Sequence, residues 1–454
     1  MKRLAEKEDE YKISWIKRFM EYESLIPGFH EEEAADPEAV RKKYGFPLTV
    51  QEISFYSLRE GERMMRPVFP GSAAQKYADF MNAKIGYRDA LKEAGIPSHP
   101  AMQKWHRRQR GRCMAELGAR TDALVHIPFT LELSDGCSVG CSFCGLNAGK
   151  LKSLFRFTDE NAALFRSALT GVKELIGDAA GQGTMYFASE PMDNPDYESF
   201  LKIYREVFHT TPQITTAAAM RNPERMHRLL KEINEEGTTV YRFSVLSEAL
   251  AQQIFAEFTP EELVYTELLP QYKEAPGSAF ANSGRMAEAN GIYDNTISCV
   301  TGFVVNFANR TVRLTSPTSS SPKYPTGEII LGRESFADAD NLIEVMRKMI
   351  RTYMSNIISP LDRVQLRQNL TWNIGNNEVI VQNNKGVRFT IKSGDQTDFY
   401  RNLMTLLSSG YHTKREIVAE LIKGYDQPVM THTFHYCINR LWELGILELE
   451  SGKI

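Results

Sequence analysis

Cysteine is scarce in this chain: six occur in 454 residues. That is too few, and too unevenly spread, for the disulfide framework of a small secreted domain. Neither sign of charge prevails. Lys and Arg number 54 against 57 Asp and Glu, for a formal net charge of -3, so no field draws the chain to nucleic acid or to an anionic membrane. Long apolar runs are missing as well. No stretch of about 18 apolar residues occurs, so no segment is expected to span a bilayer. The opening MKRLAEKEDEYKISW is too polar for the apolar core of a signal peptide. The expected setting is cytoplasmic and reducing, with no nucleic-acid and no membrane partner. Composition is otherwise that of a folded protein, 42% hydrophobic and 24% charged. A chain of this length exceeds one typical core, so about two or three domains are expected.

The cysteine that is present is concentrated. Cys137, Cys141 and Cys144 lie in one short loop, CSVGCSFCG, directly after the apolar strand-like run HIPFTLEL at 126–133. Thiolates spaced three and then two residues apart converge on one metal centre, and an iron–sulfur cluster is the usual reason for such a run. A 4Fe–4S cluster normally takes four cysteines; three leave one iron open to a substrate or cofactor, as catalytic zinc keeps an open position. A zinc knuckle would need a fourth ligand at compatible spacing. The nearest histidine, His126, stands at the far end of the strand. Cys113, Cys299 and Cys437 are isolated, so a single cluster is expected.

Residues 1–125 read as a helical region, with apolar residues at helical spacing in YKISWIKRFMEYESLI and SAAQKYADFMNAKIGYRDALKEAGI. The basic run KWHRRQRGR at 104–112 is either a solvated helix face or a grip for an acidic peptide. From 126 to 335 strands and helices alternate. Candidate strands are 126–133, 184–189, 213–219, 239–246, 264–270 and 297–307, which implies parallel βαβ units. Periodicity alone allows an open Rossmann-like sheet or a partial (β/α) barrel with its functional loops at the C-terminal strand ends. A connecting segment is expected over 336–375. Over 376–454 the stretch NNEVIVQNNKGVRFTIKSG reads as a β-hairpin. Three helical segments and the short strand ILELE follow it, the order of a winged helix. Its third helix, from Thr431 to Glu443, carries only Arg440 as a strong phosphate partner, fewer basic groups than a DNA recognition helix uses.

The CxxxCxxC loop after a first strand resembles the signature of the radical S-adenosylmethionine (SAM) enzymes. The resemblance favours a partial (β/α)6 barrel, one 4Fe–4S cluster held by Cys137, Cys141 and Cys144, and SAM bound at the open iron. An electron donor such as flavodoxin or ferredoxin is then implied. The stretch Ser189-Glu190-Pro191 resembles the family's "GGEP" segment, which receives the SAM amino group; here Ala188 and Ser189 replace its two glycines. Arg242 and Ser244 share one strand face and match the family's contacts to the SAM carboxylate and ribose. Thr215 and Thr216 are weaker ribose candidates, and Phe143 matches the aromatic near the adenine. Glu267 either faces substrate or is an ordinary surface carboxylate.

Longer stretches, SDGCSVGCSFCGLNAGKL, SEPMDNPDYESF, YRFSVLS, FANSGR and SCVTGFVVNFANRTVRLTSP, resemble the proteusin-type peptide epimerases, which turn L-residues of ribosomally made peptides into D-residues. That resemblance implies a precursor peptide as partner, its leader bound by a C-terminal domain similar to the PqqD-like peptide-recognition domains. A purely structural winged helix is the alternative for that domain. Epimerisation also implies a thiol that returns a hydrogen atom to the peptide carbon. Cys299, in the sixth candidate strand, either has that role or fills a buried strand position. Relatives can carry a cysteine after a Ser-Pro like Ser316-Pro317, where this chain has Thr318. A maturase with another outcome, such as a cross-link, a backbone rearrangement or an oxidation, is the other enzyme reading.

Overall fold

The computed structural model describes residues 3–50, 52, 71–423 and 427–450, without the side chains of 119, 120, 122, 395 and 427–433. The chain opens on helices α1 (Glu10–Leu25), α2 (Phe29–Ala35), α3 (Pro37–Lys43), α4 (Ala73–Ala94) and α5 (Pro100–Leu117). Ile13, Ile16 and Phe19 of α1 enter the same core as Phe129, Tyr241 and Phe303 from further along the chain. The N-terminal helices are therefore part of the mixed α/β body rather than an appendage.

That body is built from β1 (Ile127–Glu132), α6 (Asp159–Ile176), α7 (Tyr197–Phe208), β2 (Thr215–Thr216), α8 (Pro223–Glu236), β3 (Tyr241–Val245), α9 (Glu248–Glu257), β4 (Thr266–Pro270), α10 (Gly284–Asn290) and β5 (Val300–Asn306). Side-chain caps start several of its helices where the sequence offers them. Thr158 accepts from Asn161 N at α6, and Asn222, followed by Pro223, accepts from Arg225 N at α8.

Strands β2, β3 and β4 pair in parallel, with Arg242 opposite Glu267. Strand β5 pairs in parallel with β1, on the side of β1 away from β2. The ladder then turns antiparallel through β6 (Thr311–Pro317) and β7 (Glu328–Ser335). Pro128 interrupts the β1–β5 register, and Gly302 fills the gap: a Cβ there would lie 1.9 Å from the Pro128 carbonyl oxygen.

The stretch 184–189, read as a strand, forms only an isolated parallel bridge from Thr184 to Gln213. Threonine hydroxyls take the place of the ladder. Thr130 Oγ1 bonds the Thr184 carbonyl at 2.7 Å, and Thr184 Oγ1 donates to the Tyr186 carbonyl at 2.7 Å. Such side-chain bonds satisfy backbone groups that a strand partner would otherwise take.

Helix α11 (Ala339–Tyr353) covers β7 and packs on α6. Beyond it a second core gathers Ile358, Val364, Leu366 and Leu370 with Phe399, Leu403 and Trp442. The first four of these lie inside the stretch read as a connector. The unit holds β8 (Arg363–Leu366), the antiparallel meander β9 (Thr371–Gly375), β10 (Glu378–Gln382) and β11 (Arg388–Lys392), then α12 (Thr397–Ser408), β12 (His412–Thr413), α13 (Lys414–Leu421), α14 (Gln427–Glu443) and β13 (Leu447–Leu449). The expected hairpin is β10 and β11. Strand β9 adds a third member that sequence reading missed, because TWNIG is polar at alternate positions and only half-buried at the others.

The basic run of α5 divides: Lys104 and Arg107 are exposed, as on a solvated face, while Arg108 and Arg112 turn inward. Arg108 lies 4.4 Å from the Trp442 ring, and Arg112, fully buried, donates to Ser316 Oγ at 2.8 Å and to the Pro317 carbonyl. Helix α5 is the joint between the two cores.

Candidate functional site

The loop with Cys137, Cys141 and Cys144 leaves the C-terminal end of β1. Gly136, at φ 90°, starts it; a Cβ there would lie 2.2 Å from the Lys150 carbonyl oxygen. The loop closes through Cys137 N donating to Gly149 O at 2.9 Å. Asp193 pins one flank, accepting from Ser138 N at 2.9 Å and from Arg221 Nη1 at 3.0 Å. Two sulfurs already accept backbone N–H bonds, Cys137 from Val139 and Cys144 from Ala148, each at 3.4 Å.

All three cysteines are free and half-buried. Burial, then the neighbouring Cys144 and Cys137, push the Cys141 thiol up to about 11. Without a cation this loop holds thiols, and a bound metal centre would offset the cost of ionising them. Among the described residues the three sulfurs are not all within 4.8 Å of one another. A single zinc ion, with Zn–S near 2.3 Å, needs thiols about 3.8 Å apart.

The other residues expected to hold a cofactor gather in two places. Glu190, buried at the tip of the second βα unit, accepts from Thr216 Oγ1 at 2.5 Å, Ala217 N at 2.9 Å and Met192 N at 3.0 Å. Its carboxylate thus ties the loop Ser189-Glu190-Pro191 to the end of β2, and burial holds its pKa above the ordinary value despite those donors. Phe143 packs against Phe280 with ring centroids 5.2 Å apart. The three cysteines and Phe143 lie on the loop after β1, whereas Ser189, Glu190 and Pro191 follow the isolated Thr184 bridge, with Pro191 opening a single 3-10 turn.

Arg242 and Cys299 line a cavity of about 500 Å³ bounded by α4, β3 and the start of β5, and Thr215 stands beside Arg242 on the neighbouring strand. Arg242 Nε donates to Glu267 Oε2 at 2.9 Å, and Lys84 of α4 lies 2.5 Å from Glu267 Oε1. Burial alone would raise the Glu267 pKa, but Lys84 and Arg242 outweigh it and hold the group down to about 2. Glu267 therefore faces the interior as a carboxylate held between two cations. Thr215 Oγ1 bonds Tyr186 Oη at 2.6 Å across the same space. Ser244 lies two residues beyond Arg242 on the same face of β3, half-buried.

Cys299, just before β5, lines this cavity together with Tyr186, Phe187 and Leu146, the last only two residues beyond Cys144. Burial raises the Cys299 pKa, with Arg242 opposing, so its sulfur carries a proton at neutral pH. Cys113, the other cysteine near β5, is fully buried and bonds the Pro317 carbonyl at 3.1 Å. Cys437 is buried in the second core.

Two features escaped sequence reading. Lys84 belongs to an N-terminal helix, and nothing local marks which of its lysines turns inward. Glu132, buried on β1, accepts from Ala188 N at 2.7 Å and from Asn306 Nδ2 at 3.3 Å, with Arg313 3.8 Å away over the Phe187 ring. The alternation of Thr130 and Glu132 in an apolar run was the available signal for that one.

No protein-family model matches the chain. One solved structure, BtrN in complex with AdoMet and 2-DOIA, aligns with 50% of the chain and 82% of its own length at 15% identity, with a TM-score of 0.33. That likeness is too slight to carry a fold assignment. In sequence the chain is 34% identical over 384 residues to the "Uncharacterized protein y4wI" of Sinorhizobium fredii (strain NBRC 101917 / NGR234), covering 80% of the chain and 74% of that protein, and it belongs to the same family.

Proposed function

We propose that the chain is a radical SAM maturase that inverts L-residues of a ribosomally made peptide to D-residues. The observation that carries this reading is the shared cavity. A protonated thiol, Cys299, lines the same cavity as Leu146, the residue two positions past the CxxxCxxC motif. Cys137, Cys141 and Cys144 would hold one 4Fe–4S cluster, with Ser189, Glu190, Pro191 and Phe143 on the adjoining loops toward SAM. When bound, the cluster and SAM supply a carbon radical able to take a hydrogen atom from a peptide Cα.

The chain's own residues then have separable tasks. The cavity walls exclude water from the flattened peptide carbon. Arg242, Lys84 and Glu267 balance one another's charge inside it. Cys299 delivers its hydrogen atom to the face opposite the one attacked, and an electron and a proton from a flavodoxin- or ferredoxin-like donor restore the thiol. The precursor's leader would add as a strand beside β11, which among the described residues pairs only with β10. No helix among the described residues is long and apolar enough to cross a membrane.

The test is anaerobic turnover of the reconstituted chain with SAM, reductant and the neighbouring precursor peptide in deuterated water. Supporting results are D-residues and about one mass unit gained per site, both lost in Cys299→Ala while SAM is still cleaved. A cross-link or a net mass loss would overturn the epimerase reading and leave a maturase of different outcome.

A further inference from the structure

The segment Phe280–Arg285 runs along the flank of the cysteine loop opposite Asp193 and touches it at every turn. Arg285 Nη1 donates to the Cys141 carbonyl at 2.7 Å, its Nη2 to the Ala148 carbonyl, and its backbone N to the Cys144 carbonyl at 3.0 Å. One side chain thus grips two carbonyls on either side of Cys144 and fixes the width of the loop. Gly284, at φ 53°, makes that approach possible: a Cβ there would lie 2.4 Å from the Cys144 carbonyl oxygen. Phe280 holds Phe143 at 5.2 Å. The segment is itself anchored from behind, with Gly284 N donating to the Pro325 carbonyl at 2.7 Å.

The charge matters as much as the grip. Among the described residues no carboxylate lies within 4 Å of the Arg285 guanidinium, although arginines elsewhere in the body are paired with acids. Its five N–H donors have no acceptor of their own charge class here, only carbonyls of the loop. A guanidinium held in that position faces a centre whose ligands must become thiolates.

We infer that Arg285 is a positioning residue for the metal centre: its guanidinium sets the spacing of Cys141 and Cys144 and places a fixed positive charge that favours the reduced state of the bound cluster. The inference rests on the reading that these cysteines hold an iron–sulfur cluster. Outer partners of metal ligands tune affinity and potential in this way, and their loss commonly costs about 10- to 100-fold in metal affinity.

The experiment compares the wild-type chain with Arg285→Gln, Arg285→Lys and Gly284→Ala after anaerobic loading with iron and sulfide. Iron content, the electron paramagnetic resonance of the reduced samples and the midpoint potential are read, with a circular dichroism melt on each sample. The glutamine variant is expected to load less tightly, with altered g-values and a more negative midpoint. The lysine variant keeps the charge and should recover the wild-type midpoint. Gly284→Ala leaves the charge intact but forces the segment off the Cys144 carbonyl, so it should lower both iron content and the melt; Arg285→Lys, which keeps charge and reach, preserves the test if Arg285→Gln fails to fold. A loaded wild type whose glutamine variant has the same spectrum and potential overturns this inference alone. A wild type that takes up no cluster overturns the cluster reading and the inference with it.

Discussion

Replacing Glu267 by Gln should destabilise the chain at neutral pH by an amount that the cavity geometry sets. The carboxylate lies 2.5 Å from Lys84 Nζ and 2.9 Å from Arg242 Nε, with its side chain only 27% exposed. Those cations, against the opposing effect of burial, bring its pKa from 4.5 to about 2. A fall of that size corresponds to about 3 kcal/mol at pH 7. The sign follows from which state binds the proton first. The unfolded carboxyl protonates near 4.5 and the folded one near 2, so the stabilisation is complete above about pH 5 and drains away as pH falls toward 2. At pH 3.5 about 2 kcal/mol of it should remain. Gln keeps the size and one acceptor but leaves Lys84 and Arg242 facing each other uncompensated. Urea unfolding of both proteins, followed by far-ultraviolet circular dichroism at pH 7 and pH 3.5, measures the difference. Equal stability at pH 7, or a gap that does not narrow at the lower pH, would refute the triad as drawn.

Four other substitutions probe the joint, the loop and the cavity. Gly111→Ala puts a Cβ 2.1 Å from the Leu444 carbonyl oxygen, so α5 and the end of α14 must part, at a cost of about 1–3 kcal/mol in a thermal or urea melt. Arg112→Met removes a fully buried cation from Ser316, Pro317 and Glu116, and should cost about 3–5 kcal/mol by the same measurement because Glu116 loses a buried partner. Cys144→Ala should abolish the visible absorption of the reconstituted cluster, whereas Cys299→Ala, outside the loop, should load iron as the wild type does.

The cysteine loop was legible because its chemistry is written in adjacent residues, β3 because its apolar alternation is unbroken, and β5 because it is a short, β-rich run buried throughout. The second βα unit was misread for the opposite reason. TMYFAS has the composition of a strand, but its carbonyls are bonded by Thr130 and Thr184 hydroxyls, and no composition rule foresees a side chain competing with a ladder. Glu267, expected to be either substrate-facing or superficial, lines the cavity as the partner of Lys84 and Arg242. Its strand position was readable, while its partner Lys84, far away in sequence, was not. Of the basic run on α5, Lys104 and Arg107 are exposed while Arg108 and Arg112 are buried, because periodicity reports which face of α5 is apolar and not that a second core would cover part of the other. Arg112 shows this most clearly, fully buried with every near neighbour an acceptor.

Helix α5 also gives the two cores a defined relation. Glu116 accepts from Arg112 at 2.7 Å, from Arg367 of the second core at 3.3 Å and from Thr318, just past β6, at 2.8 Å. Burial opposes its charge, but Arg112 and Arg367 outweigh that and hold the carboxyl below its ordinary range, so the joint stays ionic at neutral pH. A buried ionic joint of this kind adds little net stability, yet it penalises any other arrangement strongly, because parting the cores would strand a charge. Thr318 N in turn donates to Gly327 O at 3.0 Å, and the same turn supplies the Pro325 carbonyl that anchors Gly284. The second core, the end of β6 and the flank of the cysteine loop therefore form one hydrogen-bonded series, without a flexible step among these contacts. A peptide held on β11 would be presented to the cavity by a scaffold whose geometry is fixed before the peptide arrives, which lowers the ordering cost of bringing its core segment to Cys299.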